Sequence, residues 1–258
     1  MKNNSFFVCP LASGSRGNCL FVSCNDFSIL IDAGLSGIEI QRRLNAVHFE
    51  PESLKAIIIT HEHSDHVKGA GILSRRYNIP VYITQKTWNA CSNLGEIKNL
   101  QFFECGRSFK INQIKINPFS ISHDAIDPVG LTLEFETHKL GIATDLGIAT
   151  SLVKDHLQNS TVLYLESNHD PEMLINGSYP WHLKQRIKGR TGHLSNIDAR
   201  DLLKELKADN LKHVILAHLS EENNCPEKAA AEVFKGLNGS NITLHVAKPD
   251  QPGKLIKL

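Results

Sequence analysis

The stretch IIITHEHSDH, residues 57–66, constrains this chain more than any other. A run of β-branched apolar residues, suited to a buried strand, stops at Thr60. Five of the next six residues (His61, Glu62, His63, Asp65 and His66) can bind a proton or a metal ion. A chain leaving a sheet in extended form turns alternate side chains to the same side, so His61 and His63 point together. Asp65 and His66 then fall at the start of a helix, where the turn can aim them back to the same place. One short segment can therefore offer two imidazoles to one ion and a carboxylate with an imidazole to a second. Two ions about 3.5–4 Å apart polarise a phosphoryl or carbonyl oxygen and supply hydroxide. A lone HxH is more often a pair of surface histidines; HxHxDH behind an apolar strand reads as half of a metal site, with Glu62 and Ser64 as spacers.

The rest of the composition narrows the class. A chain of 258 residues suits one or two domains with a substantial core. Thirteen histidines is a high count, which directs attention to metal chemistry. The net charge of +1 argues against a global attraction to polyanions, so any nucleic-acid surface must be local. Six cysteines without a CxxC pair read as reduced and mostly buried. No apolar run approaches the roughly 20 residues of a membrane span. MKNNSFFVCP lacks an apolar core of signal-peptide length, so a cytoplasmic address is expected.

Strand patterns are expected at 20–24, 27–34, 55–60, 80–84, 114–121, 130–137, 139–145, 161–166, 213–218 and 242–247. Helices are expected at 36–47, 66–77, 151–158, 196–208 and 225–237, the fourth with Asn196 as its N-cap and Leu202, Leu203 and Leu206 on one face. The mixture repeats roughly twice, over 20–110 and 114–247. That pattern predicts an α/β fold of two sheets packed face to face with helices outside, a four-layer αββα sandwich, in which sites are built at strand ends. Three further candidate ligands sit where an apolar strand gives way to polar residues: His123 after NPFSIS, Asp145 at the end of GIATD, and His218 at the end of VILAH.

THEHSDH, SHD, ATD and AHLS, in that order, resemble the successive motifs of the metallo-β-lactamase fold superfamily. The resemblance covers nearly the whole chain. It implies one metal-bearing domain over 1–258, with His61, His63 and His123 on one ion, Asp65, His66 and His218 on a second, and Asp145 bridging. Asp145 stands where exported β-lactamases of the best-known subclass carry Cys, which points to the phosphodiesterases, nucleases and glyoxalase II of the group. Zn or Mn suits the His/Asp mixture, and Fe would also accept it.

GHLSNIDARDLLKELKADNLKHVILAHLS resembles the GHS…LTHFS region of the tRNA 3′-end processing nuclease. The likeness gives His193 as the proton donor to the leaving group, oriented by Glu166, and makes Asp65 part of the catalytic set. LASGSRGNC (11–19) and ESNHDPEML…YPWHLKQRIKGRTGHLSN are similar to the small bacterial subfamily usually called YycJ or WalJ, described as single-domain exonucleases acting on DNA, with 5′-to-3′ polarity favoured. The SGSRGN loop, with Ser13, Ser15, Arg16 and Asn18, is either a phosphate-binding nest or an ordinary hairpin turn. Asn168 and His169 are candidate substrate or supporting residues. Tyr179–Arg190 interleaves aromatics with cations, including Lys184 and Arg186, as a single-stranded nucleic acid would require; a solvated basic face fits equally. Asp145 and His218 are 73 positions apart, too few for an inserted β-CASP domain. A DNA exonuclease is thus the leading expectation. RNA processing, a glyoxalase II-like thioester hydrolase, and a metal-stabilised nucleic-acid binding protein are its rivals.

Overall fold

The computed structural model describes residues 5–25, 27–92, 94–206, 209–237 and 241–258. The chain divides into two compact units. The first runs through Ile116 and takes back 125–127 and Lys248–Leu258; the second holds Asn117–Asp124 and Pro128–Ala247.

The first unit contains β1 (Phe6–Ala12), β2 (Cys19–Cys24), β3 (Phe27–Ile31), α1 (Gly37–Ala46), β4 (Leu54–Ile58), α2 (Ser64–Val67), α3 (Ala70–Tyr77), β5 (Val81–Thr84), α4 (Gln85–Ala90), β6 (Leu100–Phe103) and β7 (Phe109–Ile111). The boundary between the units passes within β8 (Ile114–Ser120). The second unit continues with β9 (Val129–Phe135), β10 (His138–Ala143), α5 (Ser151–Leu157), β11 (Val162–Glu166), α6 (Pro171–Asn176), α7 (Trp181–Lys188), α8 (Asn196–Glu205), β12 (His213–Ala217), α9 (Pro226–Phe234) and β13 (Thr243–Val246). β14 (Ile256–Lys257) belongs to the first unit.

One sheet has the order β14-β1-β2-β3-β4-β5-β6 and the other β13-β12-β11-β10-β9-β8-β7. In both, antiparallel hairpins come first and parallel crossovers follow: β3 to β6 in one, β10 to β13 in the other. The central parallel strands β11 and β12 are buried on both faces, as strands under crossover helices must be, whereas the edge strands β6 and β13 are partly exposed. Ile57 and Ile59 pack with Leu30, with Ile40 and Leu44 of α1, and with Leu73 of α3. Leu163, Leu165 and Leu216 pack with Ala199, Leu202 and Leu203 of α8 and with Ala229 and Val233 of α9.

Seven of the expected strands end one to three residues early, and three of them do so for the same reason. The strand 27–34 stops at Ile31, 139–145 at Ala143 and 213–218 at Ala217. Asp32, Asp145 and His218 take φ of 60°, 55° and 55°, so the chain leaves the ladder at or just before each polar residue. The expected helix 66–77 is split into α2 and α3. The helix expected over 196–208 ends at Glu205, and its last two positions lie outside the described residues. Its N-cap is Ser195 rather than Asn196: the Ser195 hydroxyl accepts from the Asp198 N–H while the Asp198 carboxylate accepts from the Ser195 N–H, a capping box. β1 escapes a pattern reading because it contains Pro10; that residue lies past the two positions that β14 pairs, beside a bulge. β6, β7, β14, α4, α6 and α7 are short or polar and were not anticipated either.

Cys9, Cys19 and Cys24 are buried, and burial pushes the Cys9 thiol up to about 12. A thiol reagent at pH 8 is therefore expected to label no more than Cys91, Cys105 and Cys225 in the native protein, and all six cysteines in guanidinium; mass spectrometry of tryptic peptides reads the difference.

Candidate metal centre

In the first unit, three loops are laced together by backbone hydrogen bonds. Asn18 N–H donates to Asp65 O at 2.7 Å, Gly34 N–H to Asn18 O at 2.9 Å, and Ala33 N–H to His66 O at 2.7 Å. Gly34 lies so close to the motif that an added Cβ would fall 1.6 Å from Asp65 O, so only glycine fits.

At the centre of these loops is Asp32, 4% exposed. Its Oδ1 accepts the Thr60 N–H at 2.9 Å. Its Oδ2 lies 2.9 Å from the Thr60 hydroxyl and 2.8 Å from His66 Nδ1. The Thr60 hydroxyl has one proton and gives it to Asp32. Its oxygen, 3.0 Å from His61 Nδ1, then accepts from that ring. Both histidines therefore carry their proton on Nδ1 and turn a lone pair outward on Nε2. One buried carboxylate sets the tautomer of two imidazoles, the arrangement that ligating histidines require.

The outward atoms converge. His61 Nε2 lies 3.2 Å from His63 Nδ1, and His66 Nε2 lies 3.6 Å from Asp65 Oδ2. Asn18 joins the second pair, with Nδ2 at 3.0 Å from His66 Nε2 and 3.2 Å from Asp65 Oδ2. Its amide cannot be reversed, because Oδ1 accepts the Gly14 N–H at 2.9 Å and Nδ2 donates to Gly14 O. The SGSRGN segment is thus a hairpin turn between β1 and β2 that also brings Asn18 to the motif. Ser13 is buried, whereas Ser15 and Arg16 are exposed on the turn.

The second unit repeats the device with a different carboxylate. Glu166, at the end of β11, is fully buried. Its Oε2 accepts the backbone N–H of Leu146 at 2.7 Å and of Leu194 at 3.2 Å. Its Oε1 lies 2.7 Å from His193 Nδ1 and 3.1 Å from His218 Nδ1. Burial alone would raise the Glu166 carboxyl; His193 and His218 outweigh it and hold the group down at about 2. Burial pulls the His193 imidazole down, and Glu166 reverses that to a net rise. Both rings hold Nδ1–H toward Glu166 and present Nε2 outward. The 3.3 Å approach of Asn168 Nδ2 to His218 Nδ1 is then donor to donor; the true acceptor is His218 O, at 2.8 Å.

Asp145 faces this pair, with Oδ1 3.5 Å from His218 Nε2 and 3.9 Å from both His123 Nε2 and His193 Nδ1. Asp145, Glu166, His193 and His218 each offer a ligand atom within 4.8 Å of one another. Burial keeps the His123 imidazole below its ordinary value, which favours the neutral form that ligates. Imidazole nitrogens with the correct tautomer, together with buried carboxylate oxygens, fit a divalent metal ion.

Other expected residues have different placements. His169 is buried, and burial lowers its imidazole to about 4, so it is neutral; its carbonyl accepts the Asn196 N–H. Lys184 turns its ammonium inward. It is 8% exposed and donates to the carbonyls of Ile175 and Gly177, both at 2.7 Å, because a buried ammonium needs acceptors. Arg186 is exposed and bound to Asp124 at 2.6 Å. Sequence reasoning missed Asp32, although ILIDAG holds the signal: a carboxylate closing an apolar strand two residues before a glycine. It also missed the network that holds Asn168, in which Asn224 Nδ2 donates to the carbonyls of Ser167 and Asn168.

Asp32→Ala leaves three buried donors without an acceptor, a loss of about 3 kcal/mol or more. The expected result is a melting temperature lowered by roughly 6 °C or more and a reduced metal-to-protein ratio by plasma mass spectrometry. Asp32→Asn, which tolerates the positive φ, should fall between the two.

A family model described as the metallo-beta-lactamase superfamily matches residues 12–165. The chain is 38% identical over 254 residues to "Exodeoxyribonuclease YycJ" of Bacillus anthracis, covering 95% of this chain and 96% of that protein. It is 40% identical over 251 residues to "Exodeoxyribonuclease WalJ" of Streptococcus pneumoniae, covering 95% and 93%. Among solved structures, the metallo-beta-lactamase fold protein YhfI of Bacillus subtilis superposes with a TM-score of 0.75 at 15% identity, over 99% of this chain and all of that one. The short form of human tRNase Z superposes with a TM-score of 0.63 at 18% identity, over 95% and 98%. The two mixed sheets and their helices match the α/β sandwich fold of that superfamily. No described helix is long and apolar enough to cross a membrane.

Proposed function

The chain belongs to the metallo-beta-lactamase superfamily, and on that premise we propose that this metal-dependent hydrolase is a nuclease acting on DNA ends, with 5′-to-3′ polarity favoured. The observation that carries the reading is the double engagement of Glu166 Oε1 by His193 and His218. It holds a protonatable imidazole beside a ligating one, the pairing needed where a phosphodiester is cut and its departing oxygen must be protonated. Similarity to the YycJ and WalJ exodeoxyribonucleases over 95% of the chain supports the substrate class.

We assign the site residues by the motif correspondence, in one domain spanning 1–258 without a β-CASP insertion. His61, His63 and His123 would hold one ion and Asp65, His66 and His218 a second, with Asp145 as a ligand shared by both. Zn or Mn is the expected metal. Bound divalent ions supply Lewis-acid activation of water and neutralise the scissile phosphate. The protein's own groups do the rest. Asp32 keeps His66 in the ligating tautomer directly, and His61 through Thr60. Asp65 and Asp145 orient the attacking water. Glu166 holds His193 Nδ1–H and favours the imidazolium, so the second proton, on Nε2, is the one delivered to the leaving oxygen, and the ring is left neutral with its proton on Nδ1. Asn18 and Asn168 brace Asp65, His66 and His218. Ser13, Ser15 and Arg16 give the neighbouring turn its donors and charge.

Digestion of 5′- and 3′-labelled single- and double-stranded DNA, with RNA and S-lactoylglutathione in parallel, tests the assignment. His63→Ala and Asp65→Ala should abolish DNA cleavage with the fold intact by circular dichroism. His193→Ala should lower kcat by about 10²–10⁴-fold while the metal content is kept. Full cleavage by metal-checked His63→Ala, or a preference for the thioester, overturns the reading.

A further inference from the structure

Between Glu172 and Asp198 the chain contains no acidic residue, yet it carries Lys184, Arg186, Lys188 and Arg190. In a protein of net charge +1 this is a marked local concentration. α7 lies within the stretch and is sharply two-sided. Lys184 is buried, and Leu183 and Ile187 are partly so; Trp181, His182, Gln185, Arg186 and Lys188 face solvent. At 100° per residue these five occupy one continuous arc. Trp181 is 62% exposed, and Ile175 at the end of α6 is 50% exposed.

Tryptophan is highly buried on average, so an indole this open beside a second exposed apolar side chain, Ile175, stands out. The cations on the arc differ in availability. Arg186 is held by Asp124, whereas Lys188 and, just beyond the helix, Arg190 pair with no carboxylate among the described residues. Lys184 is spent on fixing α7 to the end of α6.

The arc also leads somewhere. His193 N–H donates to Ile187 O at 2.9 Å, Gly192 N–H to Gly189 O at 2.9 Å, and Ser122 Oγ donates to Arg190 O at 2.7 Å. An added Cβ on Gly147 would fall 2.2 Å from Arg190 O, so the turn carrying Arg190 is seated directly on the residue two beyond Asp145. The last turn of α7 is thereby fixed rigidly to His193.

We propose that the exposed arc of α7 is a track for an unpaired nucleic-acid strand. A base stacks on Trp181, and the flanking phosphates meet Lys188 and then Arg190 on the way to His193. Trp181 and Lys188 are two helical turns apart, about 10 Å along the axis. An exposed indole beside a run of cations argues for an unpaired strand, because a base inside a duplex has both faces covered. The inference takes its substrate class from the nuclease reading, but its test does not depend on cleavage.

The chain has two tryptophans, Trp88 and Trp181. Trp88→Phe leaves Trp181 as the sole indole reporter in the full-length protein. Titration with a short phosphorothioate oligothymidylate should quench its fluorescence. Trp181→Ala should weaken binding, read by anisotropy of a labelled oligonucleotide, by between about 5- and 150-fold; Trp181→Phe should recover part of the loss. Lys188→Gln and Arg190→Gln should each reduce the slope of log K against log salt by about one. Absence of quenching, unaltered binding by Trp181→Ala, or equal Trp181 dependence with a blunt duplex overturns the proposal. Hydrolysis of bis(p-nitrophenyl) phosphate by the unmodified protein, a substrate with no base to stack, reports on the nuclease reading separately. A protein inert toward it and toward DNA, yet quenched by the single strand, loses the nuclease reading and keeps the track.

Discussion

Each unit withdraws a carboxylate from water at the end of a β-strand, and each makes that burial tolerable in the same way. An isolated buried carboxylate is expensive. Asp32 is satisfied by the Thr60 amide and hydroxyl and by His66; Glu166 is satisfied by two backbone amides and by His193 and His218. The imidazoles are not decoration on a finished scaffold, since they supply part of the solvation that each carboxylate lost. In return each carboxylate fixes where the ring proton sits and which nitrogen looks outward. Folding and site formation are therefore one event at these positions, because neither buried group can be satisfied before the loops around it have closed.

The loops close by departing from regular structure at defined places. Asp32, Asp145 and His218 adopt positive φ just beyond β3, β10 and β12. That conformation disfavours most side chains and is tolerated best by Asp and Asn. Using it at His218 stores modest strain, held by the hydrogen bonds from Asn168 and to Glu166. The gain is direction: a residue continuing the strand would alternate with its neighbours, whereas one that breaks the ladder can point its side chain along the strand axis.

Much of this was legible in the sequence because strands under crossover helices are apolar on both faces, so their ends are sharp. IIIT–HEHSDH, GIAT–D and VILA–H each mark a strand end and a candidate ligand in one transition. The early ends of the three strands were not legible, because a positive φ leaves no composition signal at Asp or His. Asp32 went unread since its work depends on Thr60 and His66, 28 and 34 residues away. Asn196 looked like a cap, but Ser195 beside it completes the box with Asp198, leaving Asn196 to exchange amide hydrogen bonds with Asn224. Lys184 is the clearest lesson of the basic stretch. Its charge is visible in the sequence, but its orientation toward the Ile175 and Gly177 carbonyls is set by the phase of a helix whose polar sequence hid it.

The sharing of Glu166 Oε1 has a consequence for how such a centre can change. The oxygen donates electron density to His193 and His218 at once. Positive charge drawn toward His218 lowers the readiness of His193 to hold its proton, and a protonated His193 weakens the pull of His218 on a cation. By reciprocity the two effects are equal in free energy. Ion affinity and proton-donor strength are thus coupled through one oxygen. A stronger pull from this carboxylate tightens the hold of His218 on an ion and of His193 on its proton together, so a substitution at Glu166 changes both at once.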